Sequence, residues 1–198
     1  MIPESEPRST RRRGTALEDA LLAATIDELV ASGYSGLTIE RVAERAGTSR
    51  HVIYRRWGNR EELVLAALKR DAARDAVVVP DTGSLRGDVL ETMRTANKRR
   101  LGAVAIYSVQ LGSYFQETGT SLAELRKQLI GDRPSAMKEI IDRAVARGEV
   151  DPARLTPRVI TLPWDLLRHE ALMSLGSIPD SVIVAIVDDI FLPLVSPR

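Results

Sequence analysis

The sequence predicts an all-α fold of about nine helices, and three observations lead to that prediction. Alternating runs of apolar and polar residues, which mark half-buried strands, are scarce along the chain. Alanine, leucine, arginine and glutamate, all good helix formers, dominate the composition. Helix-capping patterns recur between the apolar segments. With 198 residues, 44% of them hydrophobic, the chain can form one large helical domain or two smaller ones that share a core.

Capping residues mark the predicted helix starts, and glycines mark the predicted ends. Pro134 lies inside the seventh predicted helix and should kink it or split it in two. The predicted starts are Thr15 with Glu18, Asn59 with Glu62, Ser121 with Glu124, and Thr156 with Pro157. The predicted ends are Gly33, Gly47, Gly148 and Gly176. The nine helices are expected near residues 15–32, 38–46, 49–56, 60–77, 84–100, 102–117, 120–147, 156–175 and 179–195.

Composition excludes several classes of protein. The chain has no cysteine, so disulfides and thiolate metal sites are excluded. Its two histidines, His51 and His169, are far apart in the sequence, and no run of about 18 apolar residues could span a membrane. The N-terminal residues combine acids and arginines without an apolar core, unlike a secretory signal. We therefore expect a soluble cytoplasmic protein with no metal site, no cofactor and no membrane partner.

Basic charge is concentrated in two segments, although the whole chain carries a net charge of only +1. Residues 41–60 contain six arginines and the single acid Glu44, whereas residues 61–198 hold 18 basic and 19 acidic residues. Such a local basic cluster is typical of nucleic-acid contact. A second cluster, of four arginines, predicts a flexible basic arm over residues 1–14, or else a tail that is merely solvated.

Residues 37–60 have the pattern of a helix-turn-helix. Thr38 has the properties of an N-cap, and Gly47 can adopt the left-handed conformation that a tight turn needs. Thr48 or Ser49 then caps a second short helix. The apolar positions predicted to face inward are Ile39, Val42, Ala43, Ala46, Val52 and Ile53, with Trp57 as a further packing residue.

The second helix of such a motif lies in the major groove of DNA, where its N-terminal residues contact base edges. Arg50 and His51 are the predicted base readers, because arginine pairs bidentately with guanine and histidine can donate or accept there. Thr38, Tyr54 and Arg60 are the predicted phosphate contacts. The partner is then a double-stranded DNA operator; the alternative is a helical hairpin whose basic face is only solvated. The full set of predicted DNA-binding residues is Thr38, Thr48, Ser49, Arg50, His51, Tyr54, Arg55 and Arg60.

A set of residues between positions 31 and 63 carries a resemblance to a known family. They are Ala31-Ser32-Gly33-Tyr34, Thr38, Val42-Ala43, Ala46-Gly47, Ser49, Ile53-Tyr54, Trp57 and Glu62-Leu63. In this pattern the segment 15–65 is similar to the TetR family of repressors. The family usually has phenylalanine, lysine and a small residue where this chain has Trp57, Arg60 and His51.

The resemblance implies two functional domains. Residues 15–59 would form the helix-turn-helix domain, and residues 60–198 an all-helical domain for ligand binding and dimerisation. A small-molecule effector in the core of the second domain would reposition the DNA-reading helices and release a repressor from its operator. The last two helices would form a four-helix interface with a second copy, which implies a homodimer.

An apolar stripe near the C-terminus supports dimerisation by its own pattern. Val182, Ile183, Ile186, Val187 and Ile190 recur at helical spacing and form a wide apolar face. This stripe either covers a partner subunit or packs only on its own subunit.

Polar and aromatic residues in the sixth and eighth predicted helices are the candidates for effector binding, since a pocket combines apolar walls with a few polar groups. Trp164 and Arg168 are i, i+4 neighbours, so their indole and guanidinium groups could stack. The alternative is that these residues are core aromatics and hydrogen-bonding groups at an interface. The predicted ligand-binding residues are Tyr107, Gln110, Tyr114, Trp164 and Arg168.

Two other functional classes compete with this interpretation. An enzyme is disfavoured because the adjacent acids Glu61-Glu62 and Asp188-Asp189 point apart on a helix, and the sequence has no nucleophile elbow and no phosphate-binding glycine loop. No catalytic residue is therefore predicted. The alternative function is an effector-independent DNA-binding or architectural protein, which would need no cavity in its C-terminal domain.

Overall fold

The computed structural model describes residues 14–73, 79–98, 102–130 and 136–197. Within these residues the regular structure is helical and no strand is found, which confirms the predicted all-α fold. The chain divides into two compact units, the first ending at Arg70 and the second beginning at Asp71. The functional boundary predicted at residue 60 stays a prediction.

The first unit contains three helices and most of a fourth: α1 (Thr15–Gly36), α2 (Ile39–Arg45), α3 (Arg50–Tyr54) and α4 (Arg60–Ala73). The capping box predicted at Thr15 is wrong, because Gly14 occupies the N-cap position. The Glu18 carboxylate instead pairs with Arg56 at 2.7 Å. The core of this unit is formed by fully buried Leu21, Leu29, Leu37, Val42, Ile53, Leu63 and Val64.

The second unit contains the remaining helices. They are α5 (Leu85–Ala96), α6 (Gly102–Gln110), α7 (Gly112–Thr118), α8 (Leu122–Ile130), α9 (Ala136–Ala146), a 3-10 turn (Pro152–Arg154), α10 (Pro157–Ser174), α11 (Asp180–Ala185), a π-helical segment (Ile186–Phe191) and α12 (Leu192–Val195). Their shared core includes the fully buried Met93, Ala144, Leu167, Val187, Phe191 and Val195.

The second unit has more breaks than the sequence predicts. The sixth predicted helix bends at the buried Leu111, whose backbone leaves the helical conformation just before Gly112, a poor helix former. The seventh is represented by α8 and α9, and Pro134, the residue expected to break it, lies outside the described residues.

The predicted caps inside this unit are confirmed. The Ser121 hydroxyl accepts a hydrogen bond from the Glu124 amide at 3.2 Å, and the Glu124 carboxylate accepts one from the Ser121 amide at 2.7 Å. The Thr156 hydroxyl accepts one from the Val159 amide at 3.3 Å. Local sequence therefore sets where α8 and α10 begin.

Three of the four predicted glycine stops are confirmed. Gly47 and Gly148 follow the ends of α2 and α9 with positive φ angles of 66° and 73°, and Gly33, with a φ of 67°, interrupts the helical backbone of α1, which continues beyond it as one short turn to Gly36. The stop predicted at Gly176 is wrong, because Leu175 takes the left-handed conformation instead, with a φ of 47°. The Leu175 amide donates to the Ala171 carbonyl at 2.9 Å and closes the last turn of α10. The left-handed residue that ends the helix therefore comes one position before the predicted Gly176.

Helix α5 runs antiparallel to the C-terminal helices and is joined to them by paired side-chain hydrogen bonds. Arg86 makes two hydrogen bonds of 2.7 Å to Asp188, and Arg94 makes two of 2.6 and 2.7 Å to Asp180. The Asn97 side chain accepts from the Ile178 amide and donates to its carbonyl, at 2.9 and 2.8 Å. These paired contacts fix the register of the last helices.

The apolar stripe over residues 182–190 packs largely on its own subunit. Ile183, Ile186 and Val187 are buried in the core of the second unit, so these three residues follow the alternative in which the stripe packs on its own subunit. The reason is that α5 and α10 already cover this face. Ile190 is the member of the stripe that stays exposed, at 39%.

None of the described helices combines the length and the apolar character that crossing a membrane requires.

Candidate DNA-binding site

The turn between α2 and α3 is built as the sequence predicts. The Thr38 hydroxyl accepts a hydrogen bond from the Arg41 amide at 3.2 Å, which caps α2. Gly47 turns the chain, and the Thr48 amide then donates to the Ala43 carbonyl at 2.9 Å. Ser49 occupies the N-cap position of α3 without a capping bond from its side chain. The two short helices therefore form a helix-turn-helix.

Helix α3 presents a polar face to solvent and an apolar face to the core. Ile53 is fully buried, whereas the side chains predicted to face DNA are all exposed. The inward position predicted for Val52 is only partly realised, since this residue is half-buried. Trp57 is also half-buried, so it contributes less packing than a fully buried tryptophan would. The exposed residues of α3 and its C-cap are Arg50, His51, Tyr54 and Arg55.

The remaining predicted contacts surround this face. Thr38 and Ser49 are exposed and Thr48 is half-buried. The Thr38 oxygen accepts the capping bond, so the hydroxyl keeps its O–H to donate to a phosphate oxygen. The DNA contacts of these residues stay predictions.

Arg60 has a structural role that the sequence did not predict. Its guanidinium lies over the Tyr34 ring at 4.1 Å from the centroid. It also donates to the carbonyl oxygens of Tyr34 and Leu37 at 3.3 and 3.4 Å. Arg60 therefore holds the α1–α2 connection, whether or not it also contacts a phosphate.

Most arginines of the basic cluster have acidic partners within the first unit. Arg41 and Arg45 both pair with Glu28, Arg56 pairs with Glu18, and Arg50 lies 3.5 Å from Glu40. Arg55 is exposed, and no described acid lies within ion-pair distance of it. Counting charge over residues 41–60 missed this compensation, since these acids precede the segment. Residues 14–60 hold six acidic and six basic residues, so the segment has no net charge and its basic character lies in where the arginines are exposed.

The candidate effector-binding residues lie on α6, α7 and α10, and α6 packs against α10. Tyr107 and Tyr114 are buried, whereas Gln110, Trp164 and Arg168 are half-buried. Their role in ligand binding stays a prediction.

The predicted stacking of Arg168 on Trp164 is wrong. In the described structure, the Arg168 guanidinium forms an ion pair with Asp165, while Trp164 packs against the core of the second unit. Burial lowers the pKa of Arg168, and repulsion from the nearby Arg126 lowers it further. Sequence reasoning missed Arg126 because it comes from α8, far along the chain.

The adjacent acids that an enzyme could use have structural partners. Asp188 binds Arg86, and Glu62 accepts a hydrogen bond from the Gly58 amide at 2.9 Å. The Glu62 amide donates to the Asn59 side chain at 2.8 Å, which confirms the predicted cap of α4. The described residues include no group of histidines and acids that could hold a metal ion.

A helix-turn-helix with an exposed polar second helix, followed by a separate helical unit, defines a DNA-binding regulator. Residues 21–67 match the family described as "Bacterial regulatory proteins, tetR family". Residues 79–190 match the family described as "Tetracyclin repressor-like, C-terminal domain". The chain belongs to the TetR family of DNA-binding transcriptional regulators.

Similar proteins span nearly the whole chain. The DNA-binding transcriptional repressor TetR of Mycobacteroides abscessus is 30% identical, over 93% of this chain and 97% of that protein. The HTH-type transcriptional regulator Mb1581 of Mycobacterium bovis is 33% identical, over 89% of this chain and 86% of that protein. The transcriptional regulator FadR of Bacillus subtilis, solved with stearoyl-CoA, superimposes with a TM-score of 0.69 at 16% identity, over 87% of this chain and 98% of that one.

Proposed function

We propose that this protein is a cytoplasmic repressor that binds operator DNA as a homodimer and is released by a small-molecule effector held in its second unit. The exposed polar face of α3, opposite the buried Ile53, is the observation that carries this proposal. A relative of 30% identity that is named as a repressor supports repression rather than activation. The test is a reporter driven by a DNA sequence selected by this protein from a random library. Co-expression should lower the reporter signal; an increase would indicate an activator.

DNA recognition is assigned to α3 and its surroundings. Arg50 and His51 read base edges near the N-terminal end of the helix, and Tyr54 and Arg55 reach the backbone beside them. Thr38, Thr48, Ser49 and Arg60 complete the phosphate contacts at the edges of the motif.

Dimerisation is assigned to exposed apolar side chains at the end of α10 and on the last helices. Met173 is 65% exposed, and large apolar residues seldom cluster on a monomer surface without a partner. In the dimer the two α3 helices would lie roughly 34–36 Å apart, or a multiple of that, to meet successive major grooves. The proposed interface residues are Leu172, Met173, Leu175, Ile190 and Leu194.

Sedimentation tests the dimer directly. The wild-type protein should sediment as a dimer, and Met173→Glu should shift it towards the monomer. Leu122→Glu, at another exposed apolar position, is the matched control and should leave the dimer intact. A wild-type protein found only as a 21.8 kDa species at micromolar concentration would contradict the proposal.

Effector binding is assigned to the region where α6 packs on α10, with Tyr107 and Gln110 on α6, Tyr114 on α7, and Trp164 and Arg168 on α10. The chain has two tryptophans, so Trp57→Phe leaves Trp164 as the sole indole reporter. A panel of small molecules that includes stearoyl-CoA, the compound bound in the FadR structure, can then be titrated.

A compound that weakens DNA binding should also change the Trp164 emission, since the indole would lie at the ligand. Its affinity should fall in Arg168→Ala and Tyr107→Phe. A compound that releases DNA yet leaves the Trp164 emission and both variants unaffected would place the effector site elsewhere.

A further inference from the structure

Glu28 of α1 is a buried acid at the helix-turn-helix that the DNA-reading face does not explain. Its side chain is only 2% exposed, although a buried carboxylate is costly unless it is paired and hydrogen-bonded. It accepts a hydrogen bond from the Ser32 hydroxyl at 3.1 Å and lies against two arginines of α2. This arrangement places a fixed negative charge behind the first helix of the motif.

Arg41 and Arg45, one turn apart on α2, use only part of their donors on this carboxylate. The Nε of Arg41 lies 3.0 Å from Glu28 Oε1, and one Nη donates to the Gly36 carbonyl at 3.4 Å. Both the Nε and one Nη of Arg45 donate to Glu28 Oε2, at 3.3 and 2.9 Å. A guanidinium carries five N–H donors, so each side chain keeps others for partners outside the protein.

Arg41 and Arg45 each bind the buried Glu28 carboxylate on one side, and the rest of each side chain is exposed to solvent. Their side chains are 57% and 43% exposed, against 2% for Glu28. Burial alone raises the pKa of Glu28, but hydrogen bonds from Arg45 and Ser32 and the charges of Arg41 and Arg45 together lower it. The carboxylate therefore stays ionised and the two guanidinium groups stay anchored at neutral pH.

We propose that Glu28 is a positioning residue for DNA binding, which orients Arg41 and Arg45 so that their outer N–H groups contact operator phosphates. The first helix of a helix-turn-helix crosses the DNA backbone, which is where α2 carries these side chains. A guanidinium fixed in advance loses less conformational entropy when it binds a phosphate. The assignment goes beyond the contacts proposed above, which lie on α3 and at the ends of the motif.

The exposed arginines provide the first test, since each single replacement leaves the buried Glu28 carboxylate paired with the other arginine. Each phosphate that a cation neutralises contributes about −0.9 to the slope of log affinity against log salt. Arg41→Ala and Arg45→Ala should therefore each flatten the slope by about 0.9 and weaken binding about fivefold at 0.15 M salt, on selected and scrambled duplexes alike. An unchanged slope in both variants would overturn the proposal.

Glu28→Gln provides the second test, because charge and position predict opposite results. Removing a negative charge should strengthen DNA binding if Glu28 only neutralises the arginines. Binding should instead weaken at least fivefold if Glu28 orients them. Glu18→Gln is the matched control: it removes one acid from the same helix and breaks the exposed Arg56 pair, and it should leave binding unchanged or slightly stronger.

A double-mutant cycle separates positioning from general folding effects. In the background Arg41→Ala with Arg45→Ala, adding Glu28→Gln should leave the DNA affinity unchanged or slightly higher, because the side chains through which Glu28 acts are gone and only the loss of a negative charge remains. Circular dichroism of each variant checks that the helices remain. Tighter binding by Glu28→Gln, or an equal loss of affinity with and without the two arginines, would overturn the positioning role.

Discussion

Replacing Ile53 by alanine removes three carbon atoms from the fully buried face of α3. At about 0.8 kcal/mol per buried methylene, the lost transfer free energy is about 2.4 kcal/mol. A cavity term adds to this, since the neighbouring helix α2 cannot shift enough to close the space fully, and the total should reach about 3–4 kcal/mol. The free energy of unfolding of the first unit should fall by that amount.

Arg50→Ala is the matched control on the opposite face of the same helix. Its side chain is 62% exposed and its contact with Glu40 is a long, solvated ion pair, so the unfolding free energy should change by less than about 0.5 kcal/mol. Urea unfolding followed by circular dichroism measures both variants. A comparable loss of stability in the two variants would show that the two faces of α3 are wrongly assigned.

Arg50→Ala, which should hardly change the stability, should instead weaken DNA binding. Arg50→Ala should cost about 1–3 kcal/mol on a duplex selected by the protein and far less on a scrambled duplex, because a base reader contributes little to non-specific binding. Fluorescence anisotropy with both duplexes measures this difference. An equal loss on both duplexes would make Arg50 a phosphate contact and refute the register proposed for α3 in the major groove.

Three further predictions concern the arm, the acid stability and Trp57. Deleting residues 1–13, which lie outside the described residues, should flatten the salt dependence of DNA affinity if the basic arm binds DNA, and leave it unchanged if the arm is only solvated. Hydrogen bonds from Arg94 and Arg86 lower the pKa of Asp180 and Asp188, so the stability that these pairs contribute is present above the unfolded pKa and is lost as the pH falls through the folded pKa. Replacing both aspartates by asparagine should therefore lower stability near neutral pH and make its loss below about pH 4 less steep in acid titrations followed by circular dichroism. Trp57→Ala should cost less than the roughly 3–5 kcal/mol of a fully buried aromatic, measured by urea unfolding, because Trp57 is only half-buried.

Features that depend on a few neighbouring residues could be predicted from the sequence. The cap at Thr38, the turn at Gly47 and the burial of Ile53 all appear where the pattern places them. These features arise from interactions that span about four residues, so the local sequence determines them almost completely. The same holds for the helix starts at Ser121 and Thr156, and it explains why the fold class and the exposed face of α3 were predictable.

The fold class, the helix-turn-helix and the family are thus predictable from the sequence alone, whereas packing between helices sets which charges and apolar residues remain available. The partners Glu28 and Arg45 are 17 residues apart, Glu18 and Arg56 are 38 apart, and Arg86 and Asp188 are 102 apart. No local pattern can specify such pairs, because they form only when packing brings separate helices together. The sequence left two alternatives open for the stripe over residues 182–190 for the same reason, since an apolar face indicates burial but not which surface covers it.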